Sequence, residues 1–294
     1  MKKSLFLFIS IIILISFFTG CVALQRFHKL PYQNNVTFKE QQNLTNQFEI
    51  NKKSYDRSGY VYHYIKSNQD DSFATDVWIY YPDQFHSESF KIYPISKTQG
   101  FLDCICASYD KNNFQIKEID GKAVYKNGKI KSITTGFYDN YKRTTMIGKK
   151  EIITYLGIIP SFDINFDLTD LNSMLPFLKE NNKDFEFGFT NIKRNSILGP
   201  IDVLYLGKVT CGFKGNIVKN NQKLNIFDIK LQNFENLDGK IYINSSNNDV
   251  IEINTKLCGN PFFDSFKFKL IEKNKISSRK EWEDFMKKKA AEIL

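Results

Sequence analysis

The chain has 294 residues, of which 42% are hydrophobic and 25% charged, and it carries only 15 Gly and 7 Pro; this excludes a wholly disordered, collagen-like or proline-rich polymer. Forty-one Lys+Arg against 32 Asp+Glu give a formal charge of +9, but only five of the basic residues are Arg (Arg26, Arg57, Arg143, Arg194 and Arg279). Lys lacks the planar fork that base and phosphate recognition exploits, so no nucleic-acid partner is expected. An aromatic complement of 27 Phe, 15 Tyr and 2 Trp favours a β-rich body.

The first predicted element is residues 1–20, MKKSLFLFISIIILISFFTG, ahead of Cys21. Lys2 and Lys3 form a short basic start, and Leu5 to Phe18 an apolar run of about fourteen residues, well below the roughly 20 that a membrane-spanning helix needs. Thr19 and Gly20 then lead into Cys21. Basic start, short apolar core and small-small-Cys resemble the type II signal peptide of bacterial lipoproteins, with Phe18 where that family more often has an aliphatic residue. The resemblance implies cleavage before Cys21, a diacylglycerol thioether on its sulfur, and often a further acyl chain such as palmitate on the new amine. Two or three chains hold a protein stably to a bilayer where one does not. The expected location is therefore outside the cytoplasm, anchored to the bacterial cell membrane or outer membrane through Cys21. Loss of Lys2 and Lys3 would lower the charge from +9 to +7. Residues 21–58, rich in Gln, Asn, Lys and Thr, read as the lipidated Cys and a polar tether, with VTFKE (36–40) able to form a strand.

Residues 59–294 are expected to form a single β-rich domain. Short segments bounded by Asp, Ser, Gly or Pro follow one another from Tyr60. GYVYHYIKS places Tyr60, Tyr62 and Tyr64 on one strand face, where their hydroxyls would reach water, and Val61, His63 and Ile65 on the other. Asp120-Gly121, Asn127-Gly128, Asp238-Gly239 and Asn247-Asn248-Asp249 have the chemistry of tight turns. The spacing of Leu171, Met174, Leu175 and Leu178 predicts a short helix at about 170–180, cut by Pro176. Ser278 and Glu281 form a capping-box pattern ahead of Trp282, Phe285, Met286 and Ile293, predicting an amphipathic helix over about 279–293. Serial strands without intervening long helices indicate a mainly β fold: a long, strongly curved antiparallel sheet or incomplete β-barrel.

That layout, with GKIYINSSNNDVIEI near its end, resembles the incomplete β-barrels of bacterial lipoprotein carriers and related exported proteins. The resemblance implies helices against the concave side and an apolar cavity holding an acyl chain or another lipoprotein's lipid. Met174, Leu175 and Leu178 of the inserted helix and Trp282 and Phe285 of the last one would line it.

Chemistry is sparse by comparison. The sequence has no HExxH, GxSxG, GxGxxG or GxxxxGK[ST] pattern. His63 reads as a packed strand residue, and His86 as a turn residue beside Ser87 and Glu88. Four cysteines remain once Cys21 is set aside. Cys104 and Cys106 share one face of a strand, so a disulfide would join one of them to Cys211 or Cys258; the alternative is four small buried apolar residues. CxC with two scattered cysteines lacks the paired CxxC of a zinc site, and no metal or other cofactor is expected. Asp163 and Asp167 of FDINFDLTD are the acid and base of the alternative reading, a lipid-anchored hydrolase of envelope glycan or lipid; the other reading of the cluster is alternation on a strand that ends in a helix N-cap at Asp170. The preferred reading is a non-enzymatic envelope protein that binds a hydrophobic ligand or acts as a scaffold.

Overall fold

Alternation along one strand sets the architecture. In Thr75–Asp83, Val77, Ile79 and Tyr81 point to one side and Trp78 and Tyr80 to the other, and all five are buried. Period-two side chains that are apolar on both faces require cover on both faces. The computed structural model describes residues 56–93, 96–109, 116–139, 142–147, 150–155, 164–165, 171–178, 180–194, 201–231, 238–256 and 265–294.

Among the described residues fifteen strands form one sheet: β1 (Tyr60–Ser67), β2 (Thr75–Asp83), β3 (His86–Lys91), β4 (Phe101–Tyr109), β5 (Ile116–Tyr125), β6 (Ile130–Asp139), β7 (Lys142–Ile147), β8 (Lys150–Tyr155), β9 (Ile164–Asn165), β10 (Phe185–Arg194), β11 (Ile201–Lys219), β12 (Gln222–Leu231), β13 (Gly239–Asn244), β14 (Val250–Thr255) and β15 (Phe266–Lys275). Their spatial order is β8-β7-β6-β5-β4-β3-β2-β1-β15-β14-β13-β12-β11-β10-β9. Two meanders therefore run outward from the β1–β15 pair, and every pairing is antiparallel except the short β9–β10 contact. Among the described residues the sheet ends at β8 and β9, yet it curls far enough to bring β8 and β11 within 8 Å. This is the incomplete, barrel-like sheet that the strand pattern predicts.

The helical pieces are α1 (Ser96–Gln99), α2 (Leu171–Met174) running into a 3₁₀ turn at Leu175–Phe177, and α3 (Arg279–Ile293). Leu171, Leu175, Phe177 and Leu178 bury among Tyr62, Tyr64, Phe185, Phe187, Phe227 and Phe268; we term this the inner face. On the outer face, Trp282, Met286 and Ala290 of α3 pack on Trp78, Tyr80, Phe90, Leu102 and Val124. The two helical segments thus lie on opposite faces of the sheet, not together on its concave side.

Turn chemistry is met in part. Asn127-Gly128 closes β5–β6 with Gly128 at φ +76°, and Asn248 turns β13 into β14 at φ +58°. Asn220 and Asn221, both left-handed, make the two-residue β11–β12 hairpin. Asp120-Gly121 is no turn. It lies inside β5, where a register shift falls between Gly121 and Lys122, so the glycine marks a bulge. Gly239 opens β13 and is required by close approach: a Cβ there would sit 2.3 Å from that of Thr255.

Candidate functional site

β3, β4 and β5 are neighbours, and their register stacks outer-face side chains in rows. Glu88 pairs with Cys106 and Cys106 with Asp120; Phe90 pairs with Cys104 and Cys104 with Lys122; His86 pairs with Ser108. The apolar residues of these rows lie beneath α3, and the polar ones emerge where α3 begins. Ser278 caps that helix, accepting from the Glu281 N–H at 3.3 Å, so its first turn is held in place. That turn docks on Glu88: Arg279 Nη2 lies 2.7 Å from Oε1, and Trp282 Nε1–H donates to Oε2 at 2.8 Å. Burying a carboxylate requires such partners, and Glu88 has two with only 4% of its surface exposed.

Beside Glu88 opens a cleft of about 420 Å³, lined among others by His86, Cys106, Glu118, Asp120, Lys122 and Arg279. His86 Nδ1 is 2.7 Å from Asp83 Oδ2 at its exposed rim, and Ser132 Oγ–H donates to Asp120 at 3.0 Å. Four carboxylates (Asp83, Glu88, Glu118 and Asp120) face two fixed cations there, an acidic lining on a basic chain.

One oxygen of Glu88 and the sulfurs of Cys104 and Cys106 lie within 4.8 Å of one another. The hydrogen bond from Cys104 lowers the Cys106 thiol below its ordinary value, with Lys122 assisting. Donating that bond, together with burial, pushes the Cys104 thiol well up. Burial works against the Lys122 charge, but Cys106, Glu88 and Asp120 outweigh it and raise the ammonium above its usual range. The arrangement offers two sulfurs and one carboxylate oxygen, with a lysine and an arginine behind them.

A second polar cluster lies on the inner face. Arg57 is 1% exposed, its guanidinium 3.8 Å from the Tyr81 ring centroid and 4.5 Å from that of Tyr62. It donates to the Tyr62 hydroxyl and to the Asn172 carbonyl, and lies 3.9 Å from the Asp249 carboxylate. The Tyr62 hydroxyl donates to Asp249, which Lys273 also meets at 2.7 Å, while the Tyr64 hydroxyl donates to the Asn172 side chain. Burial pushes Tyr62 up to about 12. The network fastens α2 to β1, β2 and β14. The Tyr62 and Tyr64 hydroxyls therefore point into the protein, not to water, and the folded body already includes Arg57.

Of the sequence-predicted residues, Leu175 and Leu178 are buried on the inner face and Trp282 on the outer, where Phe285 is half-buried; the two sets do not share a cavity. Met174 closes α2, with its side chain outside the described residues. Cys104 and Cys106 belong to the outer face and Cys211 to the inner core, so the sheet itself separates Cys211 from the CxC pair and no bridge joins them. Cys21, Asp163, Asp167, Cys258 and the 36–40 segment lie outside the described residues. Sequence reading placed Cys104 and Cys106 on one face but missed Glu88 and Lys122 beside them. Strand register, which no local pattern encodes, brings these together.

No protein-family model matches the chain, and no curated protein matches it. Among solved structures it is similar to a β-barrel-like protein of Domain of Unknown Function DUF1849 from Brucella abortus. The two share 5% identity at a TM-score of 0.38, over 76% of this chain and all of that one.

Proposed function

We propose that this protein is a non-enzymatic, lipid-anchored scaffold or binding protein of the bacterial cell envelope, tethered through Cys21 and presenting its barrel-like body away from the membrane. The basic start, short apolar run and Thr-Gly-Cys junction support the anchor. Among the described residues, no helix is long and apolar enough to cross a membrane.

The observation that supports the scaffold reading of the body is its inserted segment. Leu171, Leu175, Phe177 and Leu178 occupy the inner face between β1–β2 and β10–β15, and the Arg57–Asn172 contact fastens them there. An acyl chain bound at that place would have to displace the chain's own core. This favours a scaffold over an acyl carrier and directs binding to the outer cleft beside Glu88.

Metabolic labelling with an alkyne-bearing palmitate analogue tests the anchor. Wild type should take up the label and sediment with membranes, whereas Cys21→Ala should lose the label and be released. A Cys21→Ala protein that keeps both label and membrane association would overturn the reading.

A further inference from the structure

β4 is locked between two strands. Cys104 and Cys106 are registered against Phe90 and Glu88 on one side and against Lys122 and Asp120 on the other. Residues two apart on an extended strand have Cα atoms about 6.6–6.8 Å apart, with their Cβ atoms pointing the same way. A disulfide needs Cβ atoms near 3.8 Å, which a strand paired on both edges cannot supply without breaking its ladders. The two sulfurs converge nevertheless, and the Glu88 carboxylate completes a group whose three ligand atoms lie within 4.8 Å of one another. We propose that Glu88, Cys104 and Cys106 bind one thiophilic divalent ion of the zinc class.

The donor set selects that class. Zn–S bonds of about 2.3 Å in a tetrahedral site place two sulfurs about 3.8 Å apart, a separation that side-chain rotation on one strand face reaches. Two sulfurs with one carboxylate oxygen suit a borderline-soft ion better than calcium or magnesium, which take oxygen alone. The cleft supplies the route in, because Cys106 and Glu88 both line it, and water can fill a fourth position from that side. Charge balance agrees: two thiolates and a carboxylate around a divalent ion carry a net charge of −1, opposite Lys122 and Arg279. Arg279 and Trp282 also fix the Glu88 carboxylate, as supporting residues do for metal ligands. Cys211, buried in the inner core, takes no part.

The inference deepens the outer-cleft reading and is independent of the lipid anchor. The test is titration of the reduced, metal-free full chain in detergent with Cd²⁺, followed by the ultraviolet thiolate-to-cadmium charge-transfer band and by displacement with Zn²⁺. Wild type, Cys21→Ala and Cys211→Ser should each bind one equivalent. Cys106→Ser should weaken binding by more than about 100-fold, beyond what loss of a supporting residue costs, and Glu88→Gln should weaken it while keeping the band. A measurement that needs no variant runs alongside: Zn²⁺ should protect Cys106 of the wild type from maleimide. No band in excess Cd²⁺, a band unchanged in Cys106→Ser, or maleimide labelling unaffected by Zn²⁺ would each overturn the site. A failed titration would leave the Cys21 anchor standing, and failed lipid labelling would leave the titration standing.

Discussion

The two faces of this sheet solve the same problem with different results. Each buries an apolar stripe beneath a helical segment: the α2 region on the inner face, α3 on the outer. Each also carries a buried charge at the helix contact, Arg57 within and Glu88 without. On the inner face the polar groups point at one another. Arg57, Tyr62, Asp249, Asn172 and Tyr64 form a knot enclosed by core. On the outer face Glu88 lies at the margin of the apolar stripe, so its neighbours Cys106, Asp120 and Lys122 border a cleft. A buried polar cluster acts as a fastening when core surrounds it and as a site when one side stays open.

The sharpest way to break this comparison is to remove one anchor from each face. Arg57→Ala removes the cation of a buried network and should cost about 3–5 kcal/mol, the range for deleting one partner of a buried ion pair. Trp282→Ala excavates the outer core and should cost a similar ~3–5 kcal/mol. The two should differ in reach. Hydrogen exchange should rise across β1, β2 and β10–β15 in Arg57→Ala, but mainly across α3 and β3–β5 in Trp282→Ala. Identical exchange patterns would mean that the faces are one cooperative unit and that the outer cleft is not separately held.

A smaller effect contrasts two adjacent residues of β4. Cys104 belongs to the outer core, so Asp103 points to the inner face, where it is registered against Lys91. Burial raises its carboxyl from 3.8 to about 6, with Lys91 offsetting only part. Because the folded state holds this proton more tightly, the stabilising contribution is complete below pH ~4 and is lost as pH rises through about 6. Asp103→Asn keeps the neutral form at every pH. It should therefore be more stable than wild type at pH 7, by on the order of 2–3 kcal/mol, with the difference vanishing near pH 4. Urea midpoints of the two proteins across that range measure it, and a constant difference would disprove the assignment.

What the sequence made legible follows from the range of the interactions involved. Strand identity, the β5–β6 and β13–β14 turns, the cut at Pro176 and the span of α3 all rest on neighbours within a few residues, and they were readable. Asp120-Gly121 had turn chemistry but lies within a strand, because its partners on β4 and β6 override local preference. Alternation tells which residues share a face but not which face is covered, so it does not show that the Tyr62 and Tyr64 hydroxyls turn inward. Arg57 falls in a polar stretch that reads as tether, because its partners lie 5 to 192 positions away and no local pattern encodes them. The outer site was half visible: CxC fixed two sulfurs on one face, while Glu88 and Lys122 joined them only through pairing with β3 and β5.

The smallest predicted effect concerns how the outer face keeps its cleft in shape. Ser278 Oγ accepts from the Glu281 N–H, and the Glu281 carboxylate accepts from the Ser277 N–H at 2.8 Å and from its hydroxyl at 2.7 Å. The reciprocal bond thus reaches one residue before the cap. Those bonds hold the Glu281 carboxyl below its usual range. Ser278→Ala should cost about 1 kcal/mol, the usual penalty for losing a cap. Its consequence is local, because the first turn of α3 carries both Arg279 and Trp282, the two partners of Glu88. Fraying there should speed maleimide labelling of Cys106 while leaving exchange in β10–β15 unchanged. If labelling of Cys106 does not quicken although stability falls by that amount, then the Trp282 contact alone positions Glu88, and the cap serves the helix but not the cleft.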